Sequence, residues 1–344
     1  MRLGASLYIG LEKYAMHENI AFLKLCKEEG IEYIFTSMHM PEANDSLVSE
    51  FHSILNFAAE LGIKLIVDIS KPTKLNLDFL NDIYAVRLDY GFNNHEIIEL
   101  AKKYTCKIEL NASTLTDIKL NELLFLGLDL KRIRTSHNFY PKRYTGLNYE
   151  QVRKINKHLN EMNIPVMAYI PCKNKRPPIF EGLPTIEAHR QSTTFQAVSE
   201  LRILGCSEVF FGDALATKEE IRIAKGFCCD DLLVPIIIKK NICARSIEIL
   251  KSEHRFRFDE SDYFRRSLTF KGSDIIPFNQ VERKPGDITI DNNLYQRYRG
   301  EVSVIKSELP ADEKVNVVGF IENNVWHNIE SEKPFKFLII GESE

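Results

Sequence analysis

The sequence predicts an α/β protein: a TIM (β/α)8 barrel over residues 1–228, followed by a small, mostly antiparallel β domain over residues 229–344. Three observations predict it. Short apolar runs alternate eight times with segments of helical period, at a spacing of roughly 25–35 residues. Several helical segments end at a glycine just ahead of the next apolar run, at Gly30, Gly62, Gly127 and Gly205. The rhythm then stops after Phe227-Cys228-Cys229-Asp230-Asp231, where apolar runs are separated by turn sequences instead.

The strands fall at 2–9, 31–37, 63–69, 83–89, 107–111, 130–136, 164–170 and 207–212. Helices are expected over 17–29, 46–61, 75–81, 94–104, 117–127, 148–162, 191–204 and 217–226. Strand–helix–strand repeats imply parallel strands with right-handed crossovers, and eight units, rather than six, imply closure. Beyond residue 228, strands are expected at 233–240, 287–290, 300–305, 314–321 and 335–340, with one helix over 241–251.

Composition narrows the function classes. A net charge of −3 and a pI near 6.3 leave no strongly basic domain, so no nucleic-acid partner is expected. No apolar run reaches the length of a membrane span, and the first ten residues read as a strand rather than a signal peptide. The seven cysteines are odd in number and lack metal-ligand spacing, which points to a reducing cytoplasm. A homo-oligomer is compatible with the sequence.

In a barrel of this kind the chemistry sits where the strands end. Strand 3 ends in Asp68-Ile69-Ser70-Lys71-Pro72 and strand 4 in Arg87-Leu88-Asp89-Tyr90-Gly91. Strand 5 reads Glu109-Leu110-Asn111-Ala112-Ser113, strand 6 ends in Ser136-His137-Asn138-Phe139-Tyr140, and strand 8 ends in Gly212-Asp213. Alternation puts Arg87 with Asp89, and Glu109 with Asn111, on one face. Asp68, Arg87, Asp89, Glu109, Asn111 and Asp213 are therefore expected to line the mouth. Such a ring is costly to bury unless it is paired or functional. The bland alternative is that Arg87 only neutralises Asp89 and Glu109.

The loop after strand 7 is long, and it mixes Lys173, Lys175, Arg176, His189 and Arg190 with Glu181 and Glu187. Loops of this length in compact domains usually carry function, and its Gly and Pro spacing suggests an ordered lid. His39, His137 and His189 lie in separate loops with no ligand spacing, so neither metal nor cofactor is expected. Carboxylates beside several cations suit a hydrolase for an anionic sugar. A sugar-phosphate aldolase or epimerase would need a similar mouth, with Lys71 the nearest Schiff-base candidate. A ligand-binding protein without turnover is the third possibility.

Several motifs carry a family resemblance. They are Gly4-Ala5-Ser6-Leu7-Tyr8, Arg87-Leu88-Asp89-Tyr90-Gly91-Phe92, Glu109-Leu110-Asn111-Ala112-Ser113-Thr114 and His137-Asn138-Phe139-Tyr140-Pro141. Glu181-Gly182-Leu183-Pro184-Thr185-Ile186-Glu187-Ala188-His189-Arg190 and Gly212-Asp213 complete the barrel set. The second domain adds Pro285-Gly286-Asp287-Ile288-Thr289-Ile290-Asp291-Asn292, Tyr295-Gln296-Arg297-Tyr298-Arg299-Gly300-Glu301 and Asn316-Val317-Val318-Gly319. With these the chain resembles the bacterial 6-phospho-N-acetylmuramidases (MupG-like).

The resemblance implies a TIM-type barrel with a cyclophilin-like C-terminal domain. It also implies cytoplasmic hydrolysis of MurNAc 6-phosphate–GlcNAc during peptidoglycan recycling. The sequence departs from the family pattern at Lys71, Ser136, Cys172 and Lys175-Arg176-Pro177-Pro178. On this reading Asp89 and Glu109 are the central carboxylates, with Asp68, Asp213 and Glu187 in reserve, and the roles of acid and nucleophile stay unassigned. Asn111, Asn138 and Tyr140 are expected at sugar hydroxyls and the N-acetyl group, with Ser6, Tyr8, Arg87 and His137 as further contacts. Lys173, His189 and Arg190, with Arg297 of the second domain, would meet the phosphate or the lactyl carboxylate.

Overall fold

The computed structural model describes residues 1–38, 47–71, 77–89, 91–228, 231–268, 272, 274–322 and 324–343. His39, Tyr90 and the start of the helix expected over 75–81 lie outside them. The chain divides into two compact units, Met1–Cys228 and Cys229–Glu344.

In the first unit eight parallel strands close into a barrel in sequence order. They are β1 (Arg2–Ser6), β2 (Tyr33–Ser37), β3 (Lys64–Ile69), β4 (Ala85–Leu88), β5 (Lys107–Asn111), β6 (Ile133–Ser136), β7 (Val166–Ile170) and β8 (Glu208–Ala214). Helices α1 (Met16–Glu28), α2 (Leu47–Glu60), α3 (Asn94–Lys103), α4 (Asp117–Phe125), α5 (Tyr149–Glu161), α6 (Thr194–Ile203) and α7 (Lys218–Phe227) separate them. Between β3 and β4 the described chain forms a 3₁₀ turn, Leu77–Asn81, in place of the expected α-helix. Side-chain caps set several helix starts. Asn93, Asn148 and Thr217 each accept from the backbone N–H three residues on, and the residue there reaches back to the cap.

Side chains fill the barrel axis: Phe35, Ile66, Met167, Tyr169 and Phe210 belong to one buried cluster. Gly4 is needed there, because a Cβ on it would lie 2.3 Å from the Phe210 ring. The interior is thus packed below, and chemistry is confined to one end.

The second unit is a seven-stranded sheet. Its strands are β9 (Leu233–Lys239), β10 (Glu253–His254), β11 (Phe264–Arg266), β12 (Asp287–Asp291), β13 (Val302–Ile305), β14 (Val315–Phe320) and β15 (Phe335–Ser343), with α8 (Ala244–Lys251). The spatial order is β10-β15-β9-β14-β12-β13-β11, antiparallel except for β15 beside β9. β10 and β11, of two and three residues, are too short to leave a periodic signal and are additions to the expected strands. Among the described residues no helix is long and apolar enough to cross a membrane.

Candidate active site

The strand pairing places the polar residues at different depths. Ser37 pairs with Asp68, Asp68 with Arg87, Arg87 with Glu109, and Glu109 with Arg134. Strands in a closed barrel tilt against its axis, so residues in register slide along the axis from strand to strand. Asp68 is the next-to-last residue of β3, whereas Glu109 sits mid-strand in β5 with Asn111 two residues nearer the mouth.

Arg87 organises the upper level. Its Nη1 donates to Asp68 Oδ1 at 2.7 Å and lies 3.1 Å from Asp89 Oδ1. Its Nη2 donates to Asn138 Oδ1 at 2.5 Å and its Nε to Ser136 Oγ at 3.1 Å. Asp68 also accepts from Ser37 Oγ. Burial pushes the Asp68 carboxyl above its ordinary range, with the Arg87 charge opposing and Asp89 reinforcing the shift. Asp89, by contrast, keeps 37% of its side chain exposed. One carboxyl is therefore inclined to hold a proton while its neighbour faces solvent. Asn111 donates to Asn138 Oδ1, and no hydrogen bond engages Asn138 Nδ2 among the described residues.

Glu109 does not reach the mouth. It is fully buried, with Oε2 2.6 Å from Arg134 Nε, and Arg134 Nη2 donates to Glu208 Oε2 at 2.6 Å. The Nε–H is not aimed at the Glu109 oxygen, so that contact is a charge pairing rather than a directed hydrogen bond. Burial works against the Arg134 charge, yet Glu109 and Glu208 together hold its pKa above the ordinary value. Expected as a central carboxylate, Glu109 belongs to an interior ion network.

The long β7–β8 loop is a pinned wall. Asp213 accepts from the backbone N–H groups of Cys172 (3.1 Å), Arg176 (2.9 Å) and Leu183 (3.1 Å), which commits its carboxylate to loop geometry. Glu187 accepts from Arg190 Nε and Nη2 at 2.7 and 2.8 Å and from the N–H groups of Tyr144 and Gly146, both at 2.8 Å. Arg190 also donates to the carbonyls of Tyr140, Lys142, Glu181 and Gly182. His189 is buried against Glu200 at 2.9 Å, an acid that Tyr149 also meets. Lys173 ion-pairs with Glu219 at 2.9 Å on α7. Glu187 and Asp213 therefore hold the loop rather than the substrate, and the three expected anion contacts Lys173, His189 and Arg190 are all engaged elsewhere.

This clasp has a pH signature. Chiefly through its hydrogen bonds from Arg190, Glu187 is held down at about 2, against about 4.3 for a free glutamate. The depressed pKa stabilises the folded state above the free value and ceases to do so as pH falls through the folded one. Glu187→Gln should therefore melt lower than the parent at neutral pH, with the gap closing between about pH 4 and 2. A gap that is the same at pH 3 and pH 7 would contradict the assignment.

Model sequences for the 6-phospho-N-acetylmuramidase N-terminal and C-terminal domains match residues 3–225 and 233–338. The chain belongs to this family. An uncharacterised B. cereus protein of known crystal structure is 26% identical, with a TM-score of 0.84 and coverage of 98% of this chain and 99% of that one. A conserved Enterococcus faecalis protein of unknown function is 27% identical, with a TM-score of 0.68 and coverage of 98% and 96%. No curated protein matches the chain.

The family's glycosidase character fits the Asp68–Arg87–Asp89 group, and the other motif residues divide around it. Tyr8 is buried and donates to the Gly212 carbonyl at 2.6 Å, so it contributes its ring rather than its hydroxyl. Ser6 is likewise buried at the end of β1. His137 is buried behind β6, 2.7 Å from Asn156 Oδ1, and burial lowers its pKa to about 4, so it is neutral at neutral pH and no anion contact. Tyr140, half-buried, is tied to the loop through its backbone. Arg297 lies in the second domain, its guanidinium 4.8 Å from the Tyr298 ring centroid. Lys71 ion-pairs with Glu96 and keeps 42% of its side chain exposed, which removes the Schiff-base candidate from the barrel interior.

Sequence reasoning counted Arg176 among the loop's cations but gave it no role. Its guanidinium lies over the Tyr8 ring at 4.5 Å and the Phe139 ring at 5.7 Å. With Pro141, Phe180 and Leu183 it also lines a cleft of about 130 Å³. The departure from the family pattern at 175–178 was the available signal. Arg134 and Glu208 were also missed, since charges near the start of a strand carry no sequence mark of how deep in the barrel they lie.

Proposed function

We propose that the protein is a 6-phospho-N-acetylmuramidase that hydrolyses MurNAc 6-phosphate–GlcNAc to MurNAc 6-phosphate and GlcNAc. The observation that carries this reading is the pair of carboxylates held on one nitrogen of Arg87 at the barrel mouth. Contacts of 2.7 and 3.1 Å to Nη1 cap the separation of those two oxygens at about 5.8 Å. Retaining glycosidases keep their carboxyls about 5–5.5 Å apart, and inverting ones about 6.5–9.5 Å. Asp68, inclined to stay protonated, gives its proton to the glycosidic oxygen as GlcNAc leaves. Asp89 attacks the anomeric carbon, and water then releases MurNAc 6-phosphate with Asp68 as base. Asn138 and Asn111 meet the sugar's polar substituents.

Arg176, on its aromatic platform, is the anchor for the phosphate. A phosphorylated sugar is an intracellular metabolite, which agrees with a cytoplasmic role in peptidoglycan recycling. The test is an assay with MurNAc 6-phosphate–GlcNAc beside its unphosphorylated form. Cleavage of the first and near-silence on the second is expected; equal turnover, or none, overturns the reading. Arg176→Ala should raise KM for the phosphorylated substrate by roughly 10–100-fold, since a charge-assisted phosphate contact is lost, with a smaller change in kcat. An unchanged KM would remove Arg176 from the phosphate site.

A further inference from the structure

Helix α4 is apolar on two sides. One side, Leu120 and Leu123, is buried within the first unit. On the other, Ile118, Asn121, Glu122 and Phe125 are exposed, at the i, i+3, i+4, i+7 spacing of a helix–helix seam. Ile118 is 72% exposed and Phe125 91%, the highest value for any large apolar side chain among the described residues. Packing within the unit accounts for the first side and gives no reason for the second, and a joined apolar stripe on a surface marks an interaction face. Beside the stripe, α4 and the start of α3 enclose a shallow groove of about 620 Å³, lined by Asn94, His95, Ile118, Lys119, Phe125 and Leu126.

Charges of both signs flank the stripe. Lys119 bonds through its backbone N–H to the Thr116 cap, and its ammonium makes no hydrogen bond or ion pair among the described residues. Glu122 Oε2 accepts from Asn94 Nδ2 at 2.7 Å, which leaves Oε1 open. Lysine ahead of glutamate is the weaker order for a pair within one helix, so both charges are better met from outside. A fitting surface carries an apolar stripe with a cation and an anion in reversed order. A second copy of α4, turned antiparallel, is such a surface.

We propose that α4 and the groove beside it form the interface of a two-fold symmetric homodimer, with α4 antiparallel to its counterpart. An axis passing between Asn121 and Glu122 sets Ile118 against the partner's Phe125, and Phe125 against the partner's Ile118. Each Phe125 ring then enters the other copy's groove, beside Ile118 and His95. Lys119 and the partner's Glu122 lie two residues apart along the helices, about 3 Å of rise, which a lysine side chain spans. Symmetry makes that ion pair twice. A membrane or a polyanion fits poorly, because the stripe is short and its charges cancel. The inference is independent of the hydrolase reading, since none of these residues belongs to the Asp68–Arg87–Asp89 group.

Sedimentation equilibrium of the full-length protein over about 1–100 μM tests this. The mass should approach twice 39.7 kDa at the upper end and go no higher, because an isologous interface closes at two copies. Phe125→Asp should weaken dimerisation by about a hundredfold, since it removes the aromatic anchor and sets a carboxylate in its place. Phe125 is exposed in the single chain, so this variant should melt with the parent at concentrations where the parent is dissociated. Lys119→Glu and Glu122→Lys should each weaken the dimer about tenfold, and the double variant should recover it, because exchanging both charges restores the cross-pairs. A monomer throughout, an assembly larger than two copies, or undiminished association in Phe125→Asp overturns the proposal. Single charge variants that associate as the parent does, or a double variant that recovers nothing, overturn the antiparallel pairing.

Discussion

Asp89→Asn and Asp68→Asn should each lower turnover of MurNAc 6-phosphate–GlcNAc by about a thousandfold in a protein that remains folded. The amides keep the size and hydrogen-bonding outline of the parent side chains, and Arg87 retains Ser136, Asn138 and one remaining carboxylate as partners. What disappears is an attacking oxygen in one case and a transferable proton in the other. The two are separable by pH. Because burial raises the Asp68 carboxyl, the alkaline limb of the kcat/KM profile belongs to Asp68 deprotonation and lies above the usual carboxylate range. Asp68→Asn should flatten that limb, and Asp89→Asn should keep it but move it to lower pH, because the Asp89 charge helps to raise the Asp68 carboxyl. Near-normal turnover in either variant removes that residue from the chemistry.

Arg134→Met should instead destabilise the barrel, by about 3–5 kcal/mol, because it leaves Glu109 and Glu208 buried without their shared cation. For a unit of this size that is a fall in melting temperature of roughly 10 °C. Below the transition the mouth group does not use Arg134, so kcat should stay within about threefold of the parent, a change worth less than 1 kcal/mol. Thermal melts and turnover at low temperature read the two effects separately. A variant that keeps its melting temperature but loses turnover would return Glu109 and Arg134 to the active site. Glu109→Gln leaves the Arg134–Glu208 pair in place and should destabilise less.

The barrel was legible because its signals are local. A strand–helix unit declares itself through apolar period, a capping Asn or Thr, and a glycine where the helix must stop. The motifs at the ends of β3, β4 and β6 marked Asp68, Arg87, Asp89 and Asn138, and the structure brings these four together. Glu109 shows where that logic fails: alternation predicts which face of a strand a residue occupies, not how far down the barrel it lies. Arg190 and His189 fail for a different reason. A cation in a long loop reads the same in sequence whether it awaits a phosphate or, like Arg190, already binds the carbonyls of residues 8 to 50 positions away.

By itself the sequence determined an eight-unit barrel, a following β domain, membership of a glycosidase family and a polar barrel mouth, because each follows from periodicity, turn chemistry or motif. Only the tertiary structure decided which carboxylates lie together on Arg87 and which cations of the long loop are tied to its own carbonyls and carboxylates. Depth in a closed barrel is set by strand tilt and register, and the partner of a buried charge is chosen by contacts between strands far apart in the chain.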